Sequence, residues 1–72
     1  MIYFNLKNDK AREIIEQLNN VFPNKFEVTS EVFITFDKDV HGFVSYGKMK
    51  LFDNADQETH ISLDDIGTIY LV

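Results

Sequence analysis

The chain has no cysteine and no tryptophan, a single proline, and three glycines that stand apart from one another. Without cysteine there are no disulfides, no thiolate nucleophile and no cysteine-ligated zinc, a usage that fits a reducing cytosol. Isolated glycines leave nothing from which to build a phosphate-cradling loop. No apolar run approaches the roughly 18 residues of a membrane span. The opening Met-Ile-Tyr-Phe-Asn-Leu-Lys is too short and too poor in basic residues for a signal peptide. The expectation is a soluble, cytoplasmic protein that engages no membrane. Gly, Ala, Arg and Pro together number seven while Asn, Lys, Ile, Phe and Tyr abound, as AT-rich codons dictate. A low-GC bacterium or its phage is the source this composition suggests.

Positive charge is also scarce. Seven basic residues face twelve acidic ones, for a net charge of −5. From Asp53 to Val72 there are Asp53, Asp56, Glu58, Asp64 and Asp65 but no Lys or Arg. Such a field repels phosphate backbones and attracts basic surfaces, although it also serves solubility alone. What the chain does have is apolar content: 44% of its residues, ten of them aromatic, far from a disordered composition. Its 72 residues make one domain, residues 1–72, with a thin stability margin.

Residues 43 to 52, Phe-Val-Ser-Tyr-Gly-Lys-Met-Lys-Leu-Phe, read as a long organising strand. Phe43, Met49 and Leu51 fall on one parity and Val44, Tyr46, Lys48, Lys50 and Phe52 on the other, so a strand sends them to opposite faces. The first set is expected in the core. Gly47 inside the strand predicts a bulge or bend. Flanking runs Val32 to Phe36 and His60 to Leu63 are placed to pair on either side.

Ahead of this, Met1 to Leu6 alternates like a short strand, with Ile2, Phe4 and Leu6 on one face. Asn8 or Asp9 offers an N-cap for a helix beginning near Lys10. Ala11, Ile14, Ile15, Leu18, Val21 and Phe22 form one apolar stripe at helical period, and Pro23 predicts an end within a residue or two of Val21. The stripe is expected on the chain's own sheet rather than on a partner. Phe26 to Phe36 is one interrupted strand or two short ones, and Asp37 to Gly42 a turn. Asp53 to Gln57 is another turn, Glu58 to Leu63 a strand, and Thr68 to Val72 a last apolar strand.

No catalytic set survives a check of spacing. Asp37, Asp39, His41 and Gly42 open like a calcium loop, but the twelfth position, which needs a bidentate Glu, is Lys48. Alternate residues His60, Ser62 and Asp64 lie about 6.5 Å apart on a strand, too far for Ser–His proton transfer. Adjacent Asp64 and Asp65 point apart in extended chain, and His41 with His60 make an incomplete zinc set. The expectation is a non-enzyme with no cofactor and no metal. Tyr46, Lys48, Lys50 and Phe52 put two cations beside aromatics on one strand face, as base-stacking platforms do. Lysines on an exposed strand with their stems over neighbouring rings explain the same letters.

Gly47-Lys48-Met49-Lys50-Leu51-Phe52-Asp53, followed by Ile61-Ser62-Leu63-Asp64-Asp65-Ile66-Gly67-Thr68-Ile69-Tyr70, resembles the second half of Sm-like barrels and of bacterial YolD-like domains. The likeness covers residues 10–72 and implies a helix followed by a strand meander. It departs in having a strand before the helix. It also lacks the asparagine that Sm-like proteins use beside their uridine pocket, where this chain offers only Asn54.

The fold expected is α+β: one helix on a bent, mostly antiparallel five-stranded sheet of order β-α-β-β-β-β, open or closed as a small Sm-like or SH3-like barrel. The function expected is a small acidic protein-binding module. It would be a phage or mobile-element inhibitor occupying a basic site on a nucleic-acid-handling protein through Asp53, Asp56, Glu58, Asp64 and Asp65. The alternative is a nucleic-acid-binding barrel using Tyr46, Lys48, Lys50 and Phe52, which the acidic total disfavours. Tyr3, Phe33, Val44, Tyr46, Phe52, Tyr70 and Val72 all fall opposite the helix-facing set, and that apolar surface predicts a homodimer or a hydrophobic docking surface.

Overall fold

A computed structural model describes residues 2–7 and 9–71, apart from the side chains of Glu31 and Leu71. The elements in order are β1 (Ile2–Leu6), α1 (Ala11–Val21), β2 (Phe26–Thr29), β3 (Phe33–Phe36), β4 (His41–Ser45), β5 (Lys48–Phe52), β6 (Glu58–Ser62) and β7 (Ile66–Leu71). The strands form two antiparallel sheets, one of order β2-β3-β1-β7 and one of order β4-β5-β6. The α+β class holds, but the expected single five-stranded sheet does not.

Two breaks account for the difference. Residues 43–52 are not one strand: Tyr46 (φ 51°) and Gly47 (φ 74°) both take left-handed backbone and reverse the chain. This is the signature of a two-residue hairpin turn whose twist matches the flanking strands. The second break is Ser30–Val32, a single 3-10 turn that separates β2 from β3. Val32, expected in a strand, sits there at φ 56°, costly for a β-branched residue, and packs half-buried against the core.

The hairpin resets side-chain parity. Phe43, expected inside, pairs with Lys50 on the outer face and is 46% exposed, whereas Met49 and Leu51 are buried as expected. Ile2, Phe4 and Leu6 from β1, Ile14 and Leu18 from α1, and Met49, Leu51 and Ile61 from the second sheet meet in one core. Each such side chain contributes on the order of 2 kcal/mol by leaving water. Val40, read as part of a polar turn, is buried as well. The sheets approach closely at Gly42, since a Cβ there would come within 2.6 Å of Ile2 Cδ1.

Helix α1 stops at Val21, and Pro23 with left-handed Asn24 (φ 65°) turns the chain under a Lys25 N–H to Phe22 O bond. At its other end Lys10 occupies the N-cap position with no side-chain capping bond, so Asp9 does not serve; Asn8 lies outside the described residues. Gln17 ties the helix to β6, its Nε2 donating to Thr59 Oγ1 (2.6 Å) and to the His60 carbonyl (3.0 Å). Among the described residues no helix is long and apolar enough to cross a membrane.

Candidate binding surface

The register of the three-stranded sheet fixes what its outer face presents. Cross-strand partners share a face, so three rows run across β4, β5 and β6: His41–Phe52–Glu58, Phe43–Lys50–His60 and Ser45–Lys48–Ser62. Lys48 and Lys50 thus stand in the middle strand, Lys50 between the rings of Phe43 and His60 and Lys48 between Ser45 and Ser62. Phe52 contacts His41 (ring centroids 5.5 Å) and meets Phe43 edge-on at 6.1 Å. Tyr46 projects from the hairpin tip, fully exposed. Ser45, Tyr46, Lys48, Lys50, Glu58 and His60 line a shallow open depression along this face.

Of the expected nucleic-acid set, Lys48, Lys50 and Phe52 are therefore brought together. Tyr46 belongs to the tip rather than the face. Phe43, His41 and His60 join them; parity counted through residues 43–52 puts Phe43 on the opposite face because the chain reverses at Tyr46-Gly47. The face carries one carboxylate, Glu58, whose Oε2 is 3.4 Å from Lys50 Nζ. Both side chains are about half exposed, so the pair contributes at most about 1 kcal/mol.

The acidic set does not gather. Asp53 is buried and holds the fold together. Its Oδ1 accepts the Ala55 and Gln57 N–H groups, both at 2.9 Å, and fixes the turn between β5 and β6. Its Oδ2 lies 2.9 Å from Lys25 Nζ, which also reaches Asp39 Oδ2 at 2.7 Å. The Lys25 ammonium, followed by the two backbone donors, holds the Asp53 carboxyl below its ordinary range. Hydrogen bonds to Asp39 and then Asp53 push Lys25 up. Asp53 is thus removed from any docking surface, because a carboxylate with these partners is committed to them. Asp56 and Glu58 flank one end of β6, and Asp64 and Asp65 follow the other, about 13 Å away along a five-residue strand. Nothing local in the sequence marks the Lys25–Asp53 pairing, whose members are 28 positions apart.

The remaining candidates resolve into structural roles. Asp39 of the calcium-like opening serves Lys25. Ser62 Oγ accepts the Asp64 N–H and starts the 3-10 turn Leu63–Asp65. No group of three or more His, Asp or Glu suited to a metal occurs among the described residues.

The apolar set read as one face is split three ways. Tyr3, Phe33 and Tyr70 pack together on the outer face of the four-stranded sheet, with Tyr3 stacked on Tyr70 at 5.0 Å. Phe52 lies on the other sheet, and Val44 and Tyr46 mark its hairpin tip. Val72 lies outside the described residues.

No protein family, no curated protein and no solved structure matches the chain. The likeness to Sm-like and YolD-like domains therefore rests on the sequence motifs alone.

Proposed function

We propose that the protein is a non-enzymatic binding domain that takes single-stranded nucleic acid on the outer face of β4, β5 and β6. One observation carries this reading: the pairing register sets Lys50 between Phe43 and His60, with His41 and Phe52 in the next row and Lys48 in the row on the other side, on one antiparallel face. Aromatic rings on a sheet stack on bases of any sequence, and flanking cations follow the phosphates. The net charge of −5 opposes the approach of a polyanion, but the face itself carries two lysines against one glutamate. The domain spans 30 × 26 × 22 Å, so charges on its far side are screened at about 0.1 M salt, where the Debye length is about 10 Å.

Fluorescence anisotropy with labelled single-stranded RNA and DNA of about ten nucleotides tests this. Two phosphate contacts predict a slope of log affinity against log salt near −1.4 above about 0.1 M. Below about 0.02 M the whole-domain charge reasserts itself and binding weakens again. Replacing Lys48 and Lys50 together by alanine abolishes the signal. An oligonucleotide that never binds, or binds the double variant equally well, overturns the proposal.

The exposed carboxylates Asp56 and Asp64, unpaired among the described residues, support a second reading: docking on a basic protein surface, as an inhibitor would. A purified basic partner whose binding ignores both salt and the Asp56→Asn and Asp64→Asn changes counts against it.

A further inference from the structure

β4 lies at the edge of its sheet. In an antiparallel pair, residues alternate between those bonded across the ladder and those whose N–H and C=O point away. Leu63 N–H bonds Gly47 O and Asp53 N–H bonds Gln57 O, so the odd positions 47 to 53 of β5 bond toward β6. The even positions Lys48, Lys50 and Phe52 therefore bond toward β4, to Ser45, Phe43 and His41. That leaves the N–H and C=O groups of Gly42 and Val44 aimed at the open side, where no strand lies among the described residues. Gly42 and Val44 are placed symmetrically about Phe43.

The other edges are less suited to pairing. The β6 edge is occupied by α1, with Gln17 on the His60 carbonyl. The β2 edge is four residues long and carries Glu27. The β7 edge is irregular, its register shifting opposite Phe4 and Leu6. By contrast β4 pairs regularly with β5 over its whole length, and Val40 to Gly47 contains no Asp, Glu, Lys or Arg, the residues that usually guard an edge. Phe43 and Val44 on it are 46% and 50% exposed.

We propose that two copies of the chain join edge to edge through β4, antiparallel about a two-fold axis at Phe43, to form one six-stranded sheet. Gly42 of each copy exchanges two hydrogen bonds with Val44 of the other. Phe43 faces Phe43 of the second copy on the outer face, and His41 faces Ser45. On the inner side Val44 lies opposite Gly42. No like charges meet in this register, so two domains of charge −5 can come together along it. A five-residue edge buries less than the standard interface of about 1,600 Å², so the dimer is of the weak, reversible kind. The assignment is independent of the ligand class proposed above.

Sedimentation equilibrium of the full chain decides it. The expected result is a weight-average mass rising with concentration from 8.4 kDa toward twice that value, and rising sooner at higher salt as the mutual repulsion is screened. Val44→Pro deletes an outward N–H without touching the β4–β5 ladder, and Phe43→Lys sets two cations across the axis. Each weakens association at least about tenfold while far-ultraviolet circular dichroism stays that of the parent. If Val44→Pro does not fold, Phe43→Lys decides alone. Tyr3→Ser, on the other sheet, leaves association unchanged. A mass fixed at 8.4 kDa up to about 0.5 mM overturns the proposal, and so does association that both edge variants leave intact.

Discussion

On the outer face of the four-stranded sheet Tyr3, Phe33 and Tyr70 stand 5.0 to 5.7 Å apart and cover one another. On the outer face of the three-stranded sheet Phe52 meets His41 at 5.5 Å and Phe43 at 6.1 Å, while Lys50 separates Phe43 from His60 of β6. Both sheets need something over a face that α1 cannot reach. The first closes its rings on themselves and gains stability from their mutual contact. The second joins Phe52 to His41 and Phe43 but sets two lysines beside them and leaves Phe43 46% exposed at the open edge, so more ring surface stays in water. Composition counts the aromatics of the two faces alike; only register distinguishes them.

The sharpest way to break that distinction is to exchange losses between the faces. Tyr3→Ser removes the ring that stacks on Tyr70 and leans on Phe33, and is expected to cost about 2 kcal/mol, lowering Tm by roughly 10 °C. Oligonucleotide affinity should not change. The Lys48→Ala, Lys50→Ala double variant should shift stability by no more than about 0.5 kcal/mol while losing the ligand. Calorimetry and anisotropy on the same preparations check both, and a Tyr3→Ser protein that loses binding in proportion to stability removes the distinction.

The next largest effect lies where the sheets are tied together. Asp53→Asn leaves Lys25 with half its partners and should lower Tm by about 5 °C at neutral pH. Because the Asp53 carboxyl titrates lower in the fold than its ordinary 3.8, its contribution is whole above that value. It declines as the pH falls below it and is gone beneath the folded value. Lys25 titrates above its ordinary 10.5, so its contribution is whole below that pH and fades as pH rises through the folded value. Thermal melts from pH 2 to 7 should therefore show a shallower acid limb for Asp53→Asn than for the parent.

The smallest effect runs the other way. Tyr46 holds a left-handed conformation that asparagine adopts more readily, so Tyr46→Asn should stabilise the hairpin by up to about 1 kcal/mol. If the exposed ring serves the ligand, the same change weakens binding. A stabilised variant with full affinity would assign Tyr46 no part in recognition.

How much of this was legible in the sequence depends on whether the signal is local. The helix was, because Ile14 and Leu18 repeat at its period and Pro23 stops it; the parity of Met49 and Leu51 was also plain. The hairpin was not, because tyrosine fills a position where asparagine or glycine would announce a turn, and Phe43 was consequently assigned to the wrong side. Asp53 looked like one more surface acid, since its charge is counted locally while its partner lies in another connection of the chain. The pairing of lysines and rings on one face was half visible, through Lys48, Lys50 and Phe52. Phe43 and the two histidines required the register.

The position of β1 between β3 and β7 has a kinetic consequence. The three-stranded sheet is a meander whose strands meet through turns of a few residues, whereas the bond from Thr68 N–H to Asn5 spans 63 positions. Closing a loop of that length costs roughly 2 kcal/mol more chain entropy than closing a short turn. The meander can therefore gather early, and the docking of β7 against β1 comes late. Pulse-labelled hydrogen exchange should find the Met49 and Leu51 amides protected before the amides through which β7 bonds β1. The aromatic cluster of Tyr3, Phe33 and Tyr70 is then a latch that closes last, acting on how slowly the molecule comes apart rather than on how fast it assembles.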